Sequence, residues 1–206
     1  MQMAIANVVR VDLITEEATP RVMHATTMED VNPEPKISAG SNQILRTKNT
    51  IHAQNNTEDL VYGHTLKMKD LLFQAEMFAL CDGGELTKHA DGTFSYVGPK
   101  TGEVIARTRF TADIWTEEKD ADNDTVCFLR LRYPNAKGKP VKFSMKDNAF
   151  FAPEYEADSA AKLGKSPCEI DSFMQLPPIA CTATELLQLT PENAATILAP
   201  YADDDD

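Results

Sequence analysis

The sequence predicts a mainly β fold with a long hairpin, one flanking α-helix and a short helical C-terminal appendage. Two observations support this prediction. Runs of alternating apolar and polar residues recur along the chain, and turn-forming residues separate them. Before residue 177, helical spacing of apolar residues is found in one short segment, directly after the longest alternating pair.

The longest alternating pair consists of Ile44–Ala53 and Leu60–Met68, which flank the polar segment Gln54–Asp59. This arrangement predicts a long β-hairpin with a wide polar connection. The hairpin is longer than a buried core strand requires. It therefore indicates an arm that meets another molecule.

The short helical segment follows the hairpin at once. Apolar residues recur at helical spacing within Leu72–Leu80, so we expect a helix there, with Glu76 on its exposed side. Asp70 stands where an N-cap residue is expected. Gly83 or Gly84 can adopt the left-handed conformation that ends a helix.

Shorter alternating runs predict the remaining strands. In the first of them, apolar residues share one face while Arg10 and Asp12 lie on the other, which predicts a half-buried strand. Met28–Gly40 contains two prolines and no periodicity, so we expect an irregular extended loop. The predicted strands are Ile5–Ile14, Arg21–Thr27, Glu85–Lys88, Phe94–Val97, Glu103–Glu117, Thr125–Tyr133, Val141–Met145, Ala149–Phe151, Glu154–Ser159 and Cys168–Met174.

The pattern changes near residue 177, and we expect a β domain over residues 1–176 with an appendage over residues 177–206. Within the appendage, Thr182–Leu189 and Thr190–Leu198 are predicted to be helical. The acidic tail Asp203–Asp206 is expected to be solvated. About 30 residues are too few for an independent fold.

The composition is that of an ordinary soluble protein made in a cytosol. No segment resembles a signal peptide or a membrane helix. The formal net charge of -12 at pH 7 predicts repulsion from DNA and RNA, since affinity for nucleic acids depends on cations. Such a charge is also common in proteins that it merely keeps soluble.

No motif indicates an enzyme, a cofactor site or a metal site. The four cysteines are widely spaced and are expected to be reduced, mostly buried thiols. Asp120–Asp124 begins like a calcium loop, but Thr125 and Leu131 stand where an EF-hand requires Gly and Glu, so an acidic hairpin turn is expected. His52 and His64 could approach each other across the hairpin, but no third ligand is evident. We therefore expect a non-enzymatic protein that carries no cofactor and no metal.

Several blocks, taken in order, carry a family resemblance over roughly Val8–Leu176. They are Lys48–Asp59; Gly63, Leu66, Lys67, Lys69 and Asp70; Met77–Gly84; Thr116–Asp124; and Lys137–Lys142. Together they resemble the tail tube (major tail) proteins of phages that infect Gram-positive bacteria.

This resemblance implies a β-sandwich or partly closed barrel with one flanking helix, related in architecture to type VI secretion tube proteins. Subunits of such families form hexameric rings that stack into a hollow tube around a tape-measure protein. Genome DNA later passes through the lumen without specific binding. Further implied partners are sheath or tail terminator proteins and baseplate proteins. The implied location is the virion tail, assembled in the host cytoplasm away from membranes.

The long hairpin is then predicted to make contacts between subunits or between rings. Exposed strand edges are normally an aggregation liability, but they become useful in a polymer. Deleting Gln54–Asp59 is expected to leave a folded subunit that cannot polymerise. The candidate interface residues are Ile44, Leu45, Lys48, Asn49, Ile51, Asn55, Thr57, Glu58, Asp59, Leu60, Tyr62, His64, Leu66 and Met68.

Two other classes of protein remain open at this stage. A tail terminator or capsid decoration protein would also be structural but would not build a tube. A small enzyme or ligand-binding β-barrel would require a pocket with convergent polar groups, which no motif indicates. Electron microscopy separates these classes, because a tube protein forms long uniform cylinders or stacked rings.

Overall fold

The computed structural model describes residues 3–142, 144–179 and 187–188. Within these residues the chain is mainly β, as predicted, with one α-helix. The strands are β1 (Ile5–Thr15), β2 (Arg21–Ala25), β3 (Met28–Ser38), β4 (Asn42–Thr47), β5 (Thr50–Asn56), β6 (Leu60–Asp70), β7 (Glu85–Lys88), β8 (Phe94–Val97), β9 (Arg109–Lys119), β10 (Thr125–Gly138), β11 (Glu154–Ala160), β12 (Glu169–Phe173) and β13 (Leu187–Gln188), and the helix is α1 (Ala75–Asp82).

Nine strands form one antiparallel sheet in the order β13-β2-β1-β9-β10-β11-β6-β3, with β12 also paired to β10. The other four form two separate two-stranded ribbons, β4–β5 and β7–β8. The described strands do not close into a barrel, and the arrangement agrees with the predicted β-sandwich.

A bulge in β10 lets the large sheet enclose a core. The register between β10 and β9 shifts between Tyr133 and Ala136, where Asn135 has a φ of 55°. Bulges bend a strand and increase its twist. Beyond this bulge, Lys137 and Gly138 of β10 pair with β11. Strand β10 therefore joins the half of the sheet that contains β1 and β9 to the half that contains β11, β6 and β3.

The core lies between these two halves and is closed by α1. It takes Val11 and Leu13 from β1 and Leu66 and Met68 from β6, together with residues of β9 and β11. Helix α1 approaches β10 very closely. A Cβ atom at Gly138 would lie 2.3 Å from the Cα atom of Cys81, so a larger residue would push the helix away.

The cysteines in the described residues are free thiols, in agreement with the sequence prediction. Cys81 and Cys127 are buried and Cys168 is partly buried, while Cys181 lies outside the described residues. Burial raises the pKa of the Cys81 thiol to about 12. Since the thiolate is the reactive form, Cys81 is an inert packing residue.

Helix α1 begins later than the periodicity predicted. Its N-cap residue is Gln74, which makes no side-chain capping hydrogen bond. The predicted N-cap, Asp70, instead accepts hydrogen bonds from Thr27 Oγ1 (2.5 Å) and from Gln74 Nε2 (2.8 Å). The carboxylate therefore ties the segment before the helix to Thr27 in the connection between β2 and β3, and Leu72 lies outside the helix.

The rest of the helix prediction has a mixed outcome. Gly83 adopts a φ of 85° and ends the helix, as predicted. Glu76, however, is buried rather than exposed, and its carboxylate forms an ion pair with Lys88 Nζ (2.5 Å) on β7. The β7–β8 ribbon thus covers the side of the helix that was expected to face water.

The predicted loop at Met28–Gly40 is wrong, because most of it forms strand β3. This strand pairs with β6 from Met28 opposite Asp70 to Ser38 opposite Leu60. Pro33 and Pro35 hid the strand pattern, since proline is uncommon in strands. Pro33 and Pro35 are two residues apart, so their backbone nitrogens point to the same side of the strand. Because β3 is an edge strand, both nitrogens can point away from β6, where no hydrogen-bond partner is needed.

Two further predicted strands do not form. In the segment 141–145, the described pairing is a single bridge between Lys142 and Glu154, and residue 143 lies outside the described residues. The segment 149–151 is irregular. Its Phe150 is fully exposed, so no buried face is available there to stabilise a strand.

Little of the predicted helical appendage is described. Leu187 and Gln188, within the predicted helix Thr182–Leu189, form a strand that pairs with β2, so the helix prediction is wrong at these two residues. The helix Thr190–Leu198 and the acidic tail lie outside the described residues. At the start of the appendage, the carbonyl of Pro177 accepts a hydrogen bond from Arg10 Nη1 (2.7 Å).

From Arg10 to Thr15, strand β1 is buried on both faces, which corrects the half-buried prediction for this part of the strand. Its polar face carries Arg10 and Asp12, both buried. Asp12 forms an ion pair with Arg10 Nε (2.8 Å), and its carboxylate also contacts His24 Nδ1 (2.5 Å). Trp115 Nε1 donates to the second oxygen of Asp12 (2.7 Å). Asp12 is therefore the centre of a buried polar cluster.

The same face carries a second buried ion pair. Arg132 makes two hydrogen bonds to the carboxylate of Asp113, of 3.0 and 3.1 Å. Burial raises the pKa of Asp113, although the hydrogen bonds from Arg132 act in the opposite direction. Nearby, Arg130 pairs with Asp171 (2.6 Å) on β12 and lies 5.1 Å from the ring centroid of Phe173. Charges are tolerated in this layer because each has a partner.

Replacing Asp12 tests the importance of this buried cluster. Asp12→Ala leaves the Arg10 guanidinium buried without its carboxylate, a loss that costs about 3–5 kcal/mol. For a chain of this size we expect the Tm to fall by roughly 10 °C, measured by circular dichroism. The exposed Asp122 provides the control, and Asp122→Ala is expected to change the free energy of unfolding by less than about 0.5 kcal/mol. Equal effects in the two variants would contradict the assignment.

Candidate assembly interface

A β-hairpin arm extends from one end of the large sheet. Strand β11 pairs with β6 from Lys69 only as far as Gly63, so the start of β6 has β3 as its partner strand. A Cβ atom at Gly63 would lie 2.1 Å from the Ser159 carbonyl oxygen, which marks this tight point where the strand leaves the sheet. We define the arm as residues 37–62.

The arm is one continuous hairpin made of two ladders in series. The β3–β6 ladder ends at Ser38 and Leu60, and the β4–β5 ladder begins with Asn42 opposite Asn56. Between the ladders, the Thr57 backbone N–H donates to the Ser41 carbonyl (3.0 Å). These contacts align the outer ladder with the inner one. We call residues 42–56 the outer arm.

The sequence analysis therefore predicted a hairpin between the wrong strands. The turn lies at Lys48–Asn49, where Lys48 has a φ of 51°, and the expected connection Gln54–Asp59 is partly the end of β5. The predicted second strand, Leu60–Met68, pairs with β3 and not with Ile44–Ala53. The outer arm buries neither face, so its alternation carried no information about which strand it opposes.

Every residue of β4 and β5 is exposed. The apolar side chains of the arm are between 46% and 67% exposed. A two-stranded hairpin by itself is marginally stable in water. A group of exposed apolar side chains on such an element is typical of an interaction surface. The apolar arm residues are Ile37, Ile44, Leu45, Ile51, Leu60, Val61 and Tyr62.

Eleven of the fourteen candidate interface residues lie on the arm. These are Ile44, Leu45, Lys48, Asn49, Ile51, Asn55, Thr57, Glu58, Asp59, Leu60 and Tyr62. The other three lie in the body. His64 is partly buried, and Leu66 and Met68 are core residues with 0% and 1% exposure. We therefore remove Leu66 and Met68 from the candidate interface.

The outer arm differs in charge from the rest of the chain. It contains Arg46 and Lys48 but no Asp or Glu, which gives it a formal charge of +2. Since the whole chain carries -12, the residues outside the outer arm carry -14. Opposite potentials of this kind steer association and favour complementary partners. The charge of the outer arm therefore suits an acidic partner surface.

A second exposed apolar surface lies at the other end of β6, and the sequence reasoning missed it. The ring of Phe73 stacks on that of Phe94, with the centroids 6.1 Å apart and the planes inclined by 22°. The consecutive residues Leu71 and Leu72 are 54% and 60% exposed. We call these four residues the Phe73 patch. Its sequence signal is the run Leu71–Phe73, of which the periodicity assigned Leu72 and Phe73 to the predicted helix.

The histidines and acidic residues in the described ranges do not form a metal site. No group of three His, Cys, Asp or Glu side chains there could hold a metal ion. His52 contacts Thr47 Oγ1 within the arm, whereas His64 lies against Tyr133 with 5.0 Å between ring centroids. The suggested approach of His52 and His64 is therefore wrong. None of the described helices is long and apolar enough to cross a membrane.

The acidic turn prediction is confirmed by the contacts of Asp120–Asp124. Asp120 Oδ1 accepts hydrogen bonds from the backbone N–H groups of Asp122 (3.0 Å) and Asp124 (2.8 Å). Asn123 in this turn has a φ of 67°. The first carboxylate therefore closes the loop between β9 and β10 by local hydrogen bonds.

Comparison with solved structures gives a weak similarity in fold. No family model and no curated protein matches the chain. The chain is similar to a chain of the anti-feeding prophage baseplate, seen in a cryo-EM structure with imposed 6-fold symmetry. The TM-score is 0.42 and the sequence identity 8%, over 82% of this chain and 96% of that one. A likeness at this level supports no conclusion about function.

Substitutions in the arm and in the core are expected to have opposite effects on the monomer. Leu45→Ser removes an exposed side chain and should change the free energy of unfolding by less than about 0.5 kcal/mol. Leu66→Ala opens a cavity in the core and should cost about 2–5 kcal/mol. Urea denaturation of dilute protein measures both values. A large loss of stability in Leu45→Ser would mean that the arm packs on its own body.

Proposed function

We propose that this protein is a structural subunit of a phage tail tube, forming hexameric rings that stack into a hollow conduit for genome DNA. The observation that supports this proposal most directly is the arm. It projects from a well-packed body, and seven apolar side chains on it are about half exposed or more. Such a surface requires a partner to cover it.

A second copy of the chain is the partner that the charges favour. The outer arm is basic, and the remainder of the chain is strongly acidic. Contact between the arm of one copy and the body of the next is heterologous, because two different surfaces meet. Heterologous contacts produce either closed rings or open-ended stacks. A tube made of stacked rings needs contacts of both kinds.

The fold agrees with the one implied by the sequence resemblance, namely a mainly β domain with a short helix after a long hairpin. Three resemblance blocks coincide with distinct structural features. Lys48–Asp59 covers the turn and the second half of the arm, Met77–Gly84 covers most of α1, and Thr116–Asp124 covers the β9–β10 turn. These three blocks therefore lie in the arm, in the helix and in one turn of the body.

The charge of the chain suits a conduit for DNA. A wall rich in lysine and arginine would hold phosphates, because each such contact releases counterions and strengthens binding. A subunit with a net charge of -12 forms a wall that lets DNA pass without specific binding. The tube would assemble in the host cytoplasm around a tape-measure protein. It would meet sheath or terminator proteins and the baseplate at its surface and ends.

Removing the outer arm tests the proposal. The Ser41 carbonyl and the Thr57 N–H are already hydrogen-bonded at 3.0 Å, so an Asn-Gly turn can replace residues 42–56 without straining the body. We expect wild-type protein to form rings or tubes in negative-stain electron microscopy. The shortened protein should remain a folded monomer, because the removed residues make no part of the core.

A matched control keeps the arm and changes only its turn. Replacing Lys48-Asn49 with Asn-Gly preserves the arm length and should leave assembly intact apart from a weaker charge attraction. Tubes formed by the shortened protein would contradict the proposal, as would wild-type protein that stays monomeric at high concentration. Single rings that never stack would favour a tail terminator instead.

A further inference from the structure

The arm and the Phe73 patch lie at opposite ends of the same strand. Leu60, which belongs to the arm, begins β6, and Leu71 follows directly after the last residue of β6, Asp70. Eleven residues of extended strand span about 35 Å. The outer arm continues the same hairpin beyond Leu60, in the register that pairs Ser38 with Leu60 and Asn42 with Asn56. An arm therefore cannot cover the Phe73 patch of its own chain.

The Phe73 patch is held in place by the body. The Leu71 backbone N–H donates to the Thr27 carbonyl (3.1 Å), and the Leu72 N–H donates to Asp70 Oδ1 (3.2 Å). The Phe73 ring also contacts the Phe78 ring of α1, at 5.6 Å between centroids. The exposed apolar side chains thus sit on a fixed backbone, so little conformational entropy is lost when a partner binds.

We propose that the Phe73 patch receives the outer arm of a second copy of this chain, so that successive copies bind head to tail. This inference rests on the proposed function and names the acceptor surface for the arm. With donor and acceptor at opposite ends of β6, every bound copy presents a free arm at one end and a free patch at the other. A heterologous contact of this type repeats along an axis as long as its rotation does not bring the chain of copies back to the first one.

The chemistry of the two surfaces is complementary. The outer arm offers Ile44, Leu45 and Ile51 to the apolar side chains of the patch. The β7–β8 turn, three residues before Phe94, carries the exposed Asp91, which suits the basic arm tip. Hydrogen bonds from the hydroxyl and backbone N–H of Thr93 lower the pKa of Asp91, so it stays ionised in the neutral range.

The charges at the tip of the arm orient it during association, and the apolar contact provides most of the binding affinity. Exposed ion pairs contribute little and are screened by salt, with a Debye length of about 8 Å at physiological ionic strength. Arg46 and Lys48 therefore mainly orient an approaching arm towards the acidic body. Burial of apolar side chains on both surfaces then holds the arm in place.

A charged substitution in the Phe73 patch tests the acceptor role. Leu72→Asp should abolish stacking while the monomer keeps its Tm, because Leu72 is 60% exposed and lies outside the core. Leu163→Asp is the matched control, since Leu163 is fully exposed in a turn between β11 and β12 and should not affect assembly. Electron microscopy and sedimentation report stacking, and thermal unfolding reports the monomer.

Disulfide trapping gives a second, independent measurement. Two singly substituted proteins, Leu45→Cys and Leu72→Cys, are given tags of different size and mixed under mild oxidation. Both carry Cys168→Ser and Cys181→Ser, and the remaining cysteines are buried. We expect a mixed disulfide dimer on non-reducing gels, in several-fold excess over the product of Leu45→Cys with Leu163→Cys.

The outcomes separate the inference from the function on which it rests. The head-to-tail contact is overturned if wild-type tubes form and depend on the outer arm, yet Leu72→Asp still stacks and Leu45–Leu72 trapping does not exceed the control. The proposed function itself is overturned if the wild-type protein forms neither rings nor tubes. Loss of stacking in Leu72→Asp together with specific trapping supports both.

Discussion

The antiparallel pairing of β3 with β6 is the interaction on which the rest of the structure depends. At its inner end the ladder holds Leu66 and Met68 of β6 in the core, where β11 pairs with the other side of the strand. At its outer end the same ladder runs beyond β11 and supports the arm. One strand thus connects a rigid, well-packed body to an element that has no buried face of its own.

The body and the arm are stabilised by different interactions. In the body, apolar side chains fill the space between the halves of the sheet, and paired charges fill the opposite face of β1 and β9. In the arm, backbone hydrogen bonds and side-chain contacts between two strands act without a hydrophobic layer. The arm therefore holds its shape mainly by continuity with the β3–β6 ladder. Its exposed apolar residues are available to a partner for the same reason.

Most strands could be predicted from the sequence because one of their faces is apolar and one is polar. Strands β7 and β8 have the predicted bounds, and Gly83 ends α1 as predicted. The errors have physical causes. Pro33 and Pro35 concealed an edge strand, and Arg10 and Asp12 suggested a solvated face although they are buried as a pair. A pattern of polar residues does not reveal whether the charged side chains are solvated or buried as ion pairs.

For the candidate interface, the sequence by itself predicted a hairpin arm near residues 44–68, because a long alternating run there exceeded the needs of a core strand. Only the tertiary structure decided the partner strands, the position of the turn at Lys48–Asn49 and the burial of Leu66 and Met68. It also placed the Phe73 patch at the far end of β6. Strand pairing joins residues distant in sequence, and short-range periodicity does not encode which distant segment supplies the partner.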